Sequence, residues 1–218
     1  MTSESGAASG PGAPRRFVSR AGEKIDAALE SFALDVTGLA CADFGCNVGG
    51  FTDCLLQRGA ASVVAVDTGY GTLAWTLRKD PRVVVRERTN ALHAEPPESL
   101  VDLITIDLAW TPQRLAIPAA LRWLRPGGRI LTLVKPHYEV NDDDRPFLTA
   151  GFLDPARAPR VLERVLAAMP SYGATVVTHM QSPLRGGKTS RARGVEGNIE
   201  YVVLAVASTK ESGVRSQE

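Results

Sequence analysis

A glycine-rich segment, residues 43–51, has the composition of a ligand-binding turn. It reads Asp-Phe-Gly-Cys-Asn-Val-Gly-Gly-Phe, follows an apolar stretch and precedes a predicted helix. Glycines at such a junction let the backbone pass close to a nucleoside-type ligand at the carboxyl edge of a sheet. The spacing is G-x-x-x-G-G rather than the G-x-G-x-x-G that holds a pyrophosphate, which favours S-adenosylmethionine over a dinucleotide. The candidate cofactor-binding residues here are Asp43, Gly45, Cys46, Asn47, Gly49, Gly50 and Phe51.

Two polar residues farther along the chain could complete this cofactor site. Asp67 ends the next predicted strand, where a carboxylate can accept hydrogen bonds from both hydroxyls of a ribose. Asn90 follows the third strand, at a place that an adenine ring would reach, although an asparagine of a simple turn fits equally well. The alternative for the whole set is an ordinary strand-to-helix turn with Asp67 as a helix cap.

Two amines and two carboxylates could act on an acceptor hydroxyl. Asp107 and Lys135 each follow a buried apolar strand, so we expect both to face the ligand crevice, where Asp107 is also a candidate cofactor-binding residue. Lys24 lies at the border of the apolar stripe of the first predicted helix. Glu200 begins the last predicted strand beside it. The alternative is that Lys24 and Glu200 are solvated surface charges and that Asp107 and Lys135 form a structural ion pair.

The chemistry that these four groups could support, beside a bound S-adenosylmethionine, is methyl transfer to an acceptor hydroxyl. Such a hydroxyl is a weak nucleophile, whereas the sulfonium of S-adenosylmethionine is already activated, so positioning and help with one proton would suffice. Lys135 is the candidate for that help. A neutral Lys135 could accept the proton, and burial beside Lys24 would favour the neutral amine. A charged Lys135 would instead stabilise the developing alkoxide, and the sequence leaves both roles open.

The predicted elements that position these residues alternate between strand and helix. Strands are predicted at 38–46, 62–67, 83–87, 103–107, 129–134, 175–180 and 199–207, and helices at 19–32, 50–58, 72–79, 113–124 and 155–169. This alternation predicts an α/β fold with a doubly wound, mainly parallel sheet. The last two strands are joined without a helix, which predicts an antiparallel last strand in a seven-stranded sheet. That pattern resembles the Rossmann-like class I methyltransferase fold.

Length and composition indicate one domain. The 218 residues are 44% hydrophobic, and we expect a disordered tail at 1–16, a domain at 17–208 and a flexible tail at 209–218.

No run approaches the roughly 20 apolar residues that span a bilayer, so we expect a cytoplasmic protein that does not contact membranes. The three cysteines and three tryptophans are expected mainly in the core, and no metal site is predicted. Among the tryptophans, Trp110 could line an acceptor pocket.

The charge composition predicts that any contact with a polyanion is made by a local patch of basic residues. The formal net charge is +1, so any surface that binds nucleic acid must be a patch. One candidate patch flanks the first helix, and another lies in the loop at 182–198, where a solvated loop is an equal alternative. The basic residues concerned are Arg15, Arg16, Arg20, Arg185, Lys188, Arg191 and Arg193.

Several segments together resemble the TlyA branch of the FtsJ-type RNA methyltransferases. They are residues 19–24, 43–53, 66–71, 88–90, 134–136 and 196–200, in a match that runs from about 17 to 207. The resemblance implies ribose 2′-O methylation of RNA, with ribosomal RNA or a ribosomal subunit as the partner. It also implies a catalytic Lys-Asp-Lys-Glu tetrad, which falls on Lys24, Asp107, Lys135 and Glu200.

The chain departs from the pattern of this family in ways that keep other functions open. Family members carry a small RNA-binding module before the methyltransferase domain, which the match does not include. The residues after Asp107 are Leu-Ala-Trp instead of the expected Ser-Phe pair, and residues 141–144 are acidic where a basic stretch is usual. A methyltransferase acting on a small molecule or protein, and a non-catalytic ribosome-assembly factor, are therefore the alternatives.

Overall fold

The computed structural model describes residues 15–186 and 197–208. Its strands are β1 (Ala40–Phe44), β2 (Ser62–Val66), β3 (Val83–Arg86), β4 (Val101–Ile106), β5 (Leu124–Val134), β6 (Leu148–Thr149), β7 (Phe152–Leu153), β8 (Ala174–Gln181) and β9 (Tyr201–Ala207). Its helices are α1 (Ala21–Ser31), α2 (Gly50–Gln57), α3 (Trp75–Arg78), α4 (Gln113–Leu121) and α5 (Ala158–Ala168). The predicted tails at 1–16 and 209–218 lie almost entirely outside the described residues, as do Lys188, Arg191 and Arg193.

Seven of the strands form one sheet in the order β3-β2-β1-β4-β5-β9-β8. The first five strands pair in parallel, and β9 is antiparallel to both β5 and β8. This confirms the predicted fold class, including the antiparallel last strand. Because the order reverses between β1 and β4, the carboxyl ends of these two strands border the crevice where doubly wound sheets bind ligands.

Apolar side chains cover both faces of the sheet. On one face Phe44 and Ile104 pack with Trp123, and on the other Leu103 packs with Ile25 and Leu55. Helices lie on both faces, which is why the central strands are apolar along nearly their whole length. Cys41, Cys46 and Cys54 are buried and free, as expected for core thiols.

Three local expectations are wrong. A serine before an amphipathic stretch is typical of a helix N-cap, but Ser19 does not cap α1 with its side chain; its carbonyl instead accepts a hydrogen bond from the Gly22 N–H at 3.1 Å. Trp75 is 66% exposed instead of lying in the core, whereas Trp123 is buried; Trp110 is 79% exposed, which fits its alternative place beside an acceptor pocket. Residues 140–153 lie between a predicted strand and a predicted helix and are expected to be a loop, but they contain the antiparallel β6–β7 hairpin.

No helix in the described ranges has both the length and the apolar character needed to cross a membrane.

Candidate active site

Asp43 lies at the end of β1 and supports the glycine-rich loop from beneath. Its carboxylate is fully buried and accepts hydrogen bonds from the Thr52 N–H (3.1 Å), the Thr52 hydroxyl (2.7 Å) and the Thr105 hydroxyl (2.9 Å). Burial raises the pKa of Asp43 to about 6, against the opposing effect of the threonine hydrogen bonds. Asp43 thus joins β1, β4 and the start of α2 at the loop.

The glycines of the loop are required by close packing. Gly49 has φ +101°, a conformation that other residues rarely adopt, and a Cβ there would meet the side chains of Leu73 and Leu77. A Cβ on Gly45, which has φ +86°, would lie 2.6 Å from the Asp107 carbonyl oxygen. Both positions therefore exclude side chains, and the loop lies directly against the end of β4 and against α3.

A cavity of about 650 Å³, here called the loop cavity, opens between this loop and the segment before α1. Its volume lies within the range of about 300–1,000 Å³ that is usual for small-molecule sites. Of the predicted cofactor residues, those that line it are Gly45, Cys46, Asn47, Gly50, Phe51 and Asp107. It also has lining residues that the sequence did not single out for the cofactor, among them Ser19 and Arg20. The backbone packed around the glycines and the exposed Asn47 fit a nucleoside-type cofactor such as S-adenosylmethionine.

The other predicted cofactor residues lie outside the lining of the loop cavity. Asp43 and Gly49 are buried. Asp67 accepts hydrogen bonds from the Asn47 N–H (2.9 Å) and the Gly69 N–H (2.7 Å), so it holds two loops together. Asn90 is exposed, and its side-chain oxygen accepts from the Leu92 N–H at 3.0 Å. Contacts of Asp67 and Asn90 with the cofactor stay predictions.

The four residues of the predicted tetrad come together as two ion pairs. Lys24 on α1 hydrogen bonds to Glu200, and both side chains are buried. Lys135 Nζ lies 2.5 Å from Asp107 Oδ1 and donates a hydrogen bond to the Leu108 carbonyl at 3.2 Å. All four line one cavity of about 440 Å³, here called the tetrad cavity. Elements from the beginning, middle and end of the chain therefore meet at one place.

The electrostatics of the tetrad cavity keep Lys135 charged. Burial by itself lowers the pKa of Lys135, but the negative charges of Asp107 and Glu200 outweigh it, so the net pKa is raised. His137, which also lines this cavity, has its pKa lowered to about 4 by burial and by the charges of Lys135 and Lys24. At neutral pH the cavity therefore presents an ammonium at Lys135 and an uncharged imidazole at His137.

The rim of the tetrad cavity carries aromatic rings. Trp110 and Tyr138 line it with their ring centroids 4.8 Å apart. Phe152 of the β6–β7 hairpin and Asn198 also line it, and sequence reasoning missed both. Phe152 belongs to a two-residue strand that has no detectable periodicity. Asn198 lies within the resembling segment 196–200, which was its only signal.

The loop cavity and the tetrad cavity adjoin. Both are lined by Arg20, Asn47, Asp107 and Lys135. A group bound in one cavity therefore lies next to a group bound in the other, as transfer between two ligands requires.

One of the three acids in the segment at 141–144 is engaged within the protein. Asp144 is 1% exposed and pairs with Arg164 at 2.6 Å, while Asp142 pairs with Arg145 at 3.1 Å. The segment is thus a turn in which Asp144 is buried and Asp142 and Asp143 are exposed. Within the part of the chain that the structure describes, no group of three His, Cys, Asp or Glu side chains is placed to hold a metal ion.

Known proteins are similar in sequence to this chain over most of its length. The 16S/23S rRNA (cytidine-2′-O)-methyltransferase TlyA of Mycobacterium tuberculosis is 40% identical over 190 residues, covering 86% of this chain and 67% of TlyA. YqxC of Bacillus subtilis is 38% identical over 199 residues, covering 88% of this chain and 66% of YqxC. The chain thus spans about two thirds of the length of these relatives.

Solved structures agree with the fold. A protein from Streptococcus thermophilus superimposes with a TM-score of 0.81 at 35% identity, covering 91% of this chain and 70% of that one. An S-adenosylmethionine dependent methyltransferase from Mesorhizobium loti has a TM-score of 0.57 at 19% identity, covering 82% and 95%, which shows the fold alone. The model of the FtsJ-like methyltransferase family matches residues 17–205, nearly the whole described chain. With the glycine-rich loop and the paired amines and carboxylates in place, this chain belongs to the FtsJ-like methyltransferase family.

Proposed function

We propose that this enzyme transfers a methyl group from S-adenosylmethionine to the 2′-hydroxyl of a ribose in ribosomal RNA. The observation that carries the proposal is the convergence of Lys24, Asp107, Lys135 and Glu200 on one cavity that adjoins the loop cavity. TlyA, which is named for this reaction on 16S and 23S rRNA, is 40% identical over most of the chain. Action on ribosomes would take place in the cytoplasm.

The loop cavity would hold the cofactor, and the tetrad cavity would hold the ribose. S-adenosylmethionine supplies an electrophilic methyl group when bound. Asp107 and Lys135, which line both cavities, would orient the acceptor oxygen toward that group. Lys24 and Glu200 would close the far side of the tetrad cavity and keep its charges balanced.

Lys135 would act as a charged partner of the acceptor oxygen. Its raised pKa leaves the ammonium protonated at neutral pH, so it stabilises negative charge that develops on the hydroxyl oxygen during transfer. The carboxylate of Asp107, which lines both cavities, is then the nearby group that can accept the hydroxyl proton. This favours the electrostatic role of Lys135 over the role of a neutral base.

The decisive experiment measures transfer of labelled methyl from S-adenosylmethionine to ribosomal RNA by wild type and Lys135→Ala. We expect kcat to fall by about 10²- to 10³-fold, the usual contribution of a group that stabilises developing negative charge, while the Kd for S-adenosylhomocysteine changes little. Unchanged turnover in Lys135→Ala would contradict the proposed site. Nuclease treatment of the acceptor fraction provides the control for the substrate: label that persists without RNA would indicate a small-molecule or protein acceptor instead.

Mass mapping of ribose methylation in ribosomal RNA from cells with and without the protein would then identify the nucleotide. A single position that loses its methyl group is the expected result.

A further inference from the structure

A third cavity, here called the hairpin cavity, lies beside the tetrad cavity and has no role in the proposed chemistry. It measures about 360 Å³ and is formed by the β6–β7 hairpin, the residues that follow it and the segment before β9. Its lining is dominated by rings and aliphatic groups. These are Pro146, Phe147, Phe152, Leu153, Pro155 and Ile199.

The hairpin cavity is built from fixed parts. Asn198 accepts a hydrogen bond from the Leu153 N–H and donates one to the Gly151 carbonyl, both at 2.9 Å, and so holds the hairpin against the segment before β9. The Asp154 N–H donates to the Phe147 carbonyl at 2.9 Å. The Arg157 guanidinium lies 3.5 Å from the centroid of the Phe147 ring. The cavity walls are therefore held in place without a ligand.

Two residues connect this cavity to the proposed acceptor site. Phe152 and Asn198 line both the hairpin cavity and the tetrad cavity. A ligand whose ribose occupies the tetrad cavity would therefore place an adjoining part of itself in the hairpin cavity.

The lining of the hairpin cavity is suited to a base rather than to a phosphate. Its described lining residues include no lysine or arginine, and its one charged member is the acidic Asp154. A carboxylate repels phosphate, whereas phenylalanine rings stack on unpaired bases of any type. Arg157 lies against the Phe147 ring but is not part of the lining.

We infer that the hairpin cavity binds the base of an unpaired nucleotide next to the methylated one. This inference rests on the proposed function and narrows the substrate to RNA in which at least two consecutive nucleotides are unpaired at the site. Phe147 is the residue to substitute in a test of base binding, because Phe147 lines the hairpin cavity and not the tetrad cavity.

The test uses a synthetic RNA that contains the mapped target, and two versions that are abasic at one or the other neighbouring nucleotide. We expect one abasic RNA to lower the kcat/KM of wild type by about tenfold or more, the usual size of one stacking contact. Phe147→Leu should show a similar loss on the intact RNA and little further loss on that abasic RNA, since both remove the same contact. Phe147→Tyr keeps the ring and should behave like wild type.

Two outcomes would overturn the inference. The first is equal methylation of all three RNAs by wild type. The second is a fold-loss in kcat/KM for Phe147→Leu on the abasic RNA that equals the product of the fold-losses from the two single changes. Thermal unfolding and cofactor binding verify that Phe147→Leu is folded, and if it is not, the two abasic RNAs with wild type decide. Failure of wild type on the intact RNA would instead count against the proposed function, so the two failures are distinguishable.

Discussion

Lys135 is charged in a place where burial alone favours the neutral amine. The charges that reverse this tendency belong to Asp107 and Glu200, which reach the cavity from two different strand ends. The protonation state of this amine is therefore a property of the assembled cavity.

The pH profile of the reaction tests this description of Lys135. Because its net pKa is raised above the ordinary lysine value, the charged fraction stays near one throughout the neutral range. We expect kcat, measured with saturating cofactor and RNA, to be nearly flat between about pH 7 and 9, whereas a neutral amine as base would give a rise of about tenfold per pH unit. Lys135→Arg keeps the charge and should retain more activity than Lys135→Ala. A rise of kcat with pH that disappears in Lys135→Arg would contradict the electrostatic role.

The Lys24–Glu200 pair makes a separate prediction about stability. Both side chains are buried, so Glu200→Gln leaves the Lys24 ammonium without its carboxylate partner. We expect the free energy of unfolding to fall by about 3–5 kcal/mol in urea denaturation. The double variant Lys24→Met/Glu200→Leu should recover most of that loss but not the methyl transfer activity. Glu23→Gln, an exposed change on the same helix, serves as the control, and equal stability of Glu200→Gln and wild type would refute the assignment.

At the scale of elements, the β6–β7 hairpin forms one wall of the tetrad cavity although it is not part of the large sheet. Its connection to the rest of the molecule includes the two hydrogen bonds of Asn198, which lies 45 residues from Leu153 in the chain. The position of this wall therefore depends on a contact between distant segments.

Asn198→Ala should loosen this wall. The two lost hydrogen bonds are worth about 1 kcal/mol each, so we expect the KM for RNA to rise by up to about 30-fold while the Kd for the cofactor is unchanged. Steady-state kinetics with calorimetric binding of S-adenosylhomocysteine measures both quantities. Thr175→Ala is the control: it removes a hydrogen bond to Ser208 at the start of β8 and should leave the KM for RNA and the Kd for the cofactor unchanged. An unaltered KM in Asn198→Ala would show that the hairpin is held by other contacts.

The sequence was sufficient to predict the large sheet and the placement of the tetrad, but not the hairpin. The parallel pairing of the strands follows from the alternation of strand and helix, and residues that end parallel strands, such as Asp107, necessarily lie at one edge. The two-residue strands β6 and β7 have no periodicity to detect, and their partner Asn198 is remote in the chain. The charge of Lys135 was likewise undetermined, because it depends on the sum of burial and two neighbouring charges.

At the scale of the whole molecule, the net charge of +1 leaves little long-range attraction for RNA. Binding must therefore depend on a small number of local cations. Arg20 is the best placed of those described, because it is exposed and lines both the loop cavity and the tetrad cavity.

Arg20→Ala should weaken RNA binding in a salt-dependent manner. Loss of one phosphate contact is expected to reduce the slope of log K against log salt concentration by about one. Arg125→Ala provides a control of equal charge, since Arg125 pairs with Asp102 away from the cavities. Fluorescence anisotropy of a labelled RNA at several salt concentrations gives both slopes. Identical slopes for Arg20→Ala and wild type would place the phosphate contacts elsewhere.

The buried pair that joins Lys24 to Glu200 spans 176 residues of chain. A growing polypeptide carries the lysine early and gains the glutamate only when synthesis of the domain is nearly finished. A nascent chain therefore lacks a complete acceptor site until its final strand has emerged and folded between β5 and β8. An incomplete product of translation would therefore lack methyl transfer activity.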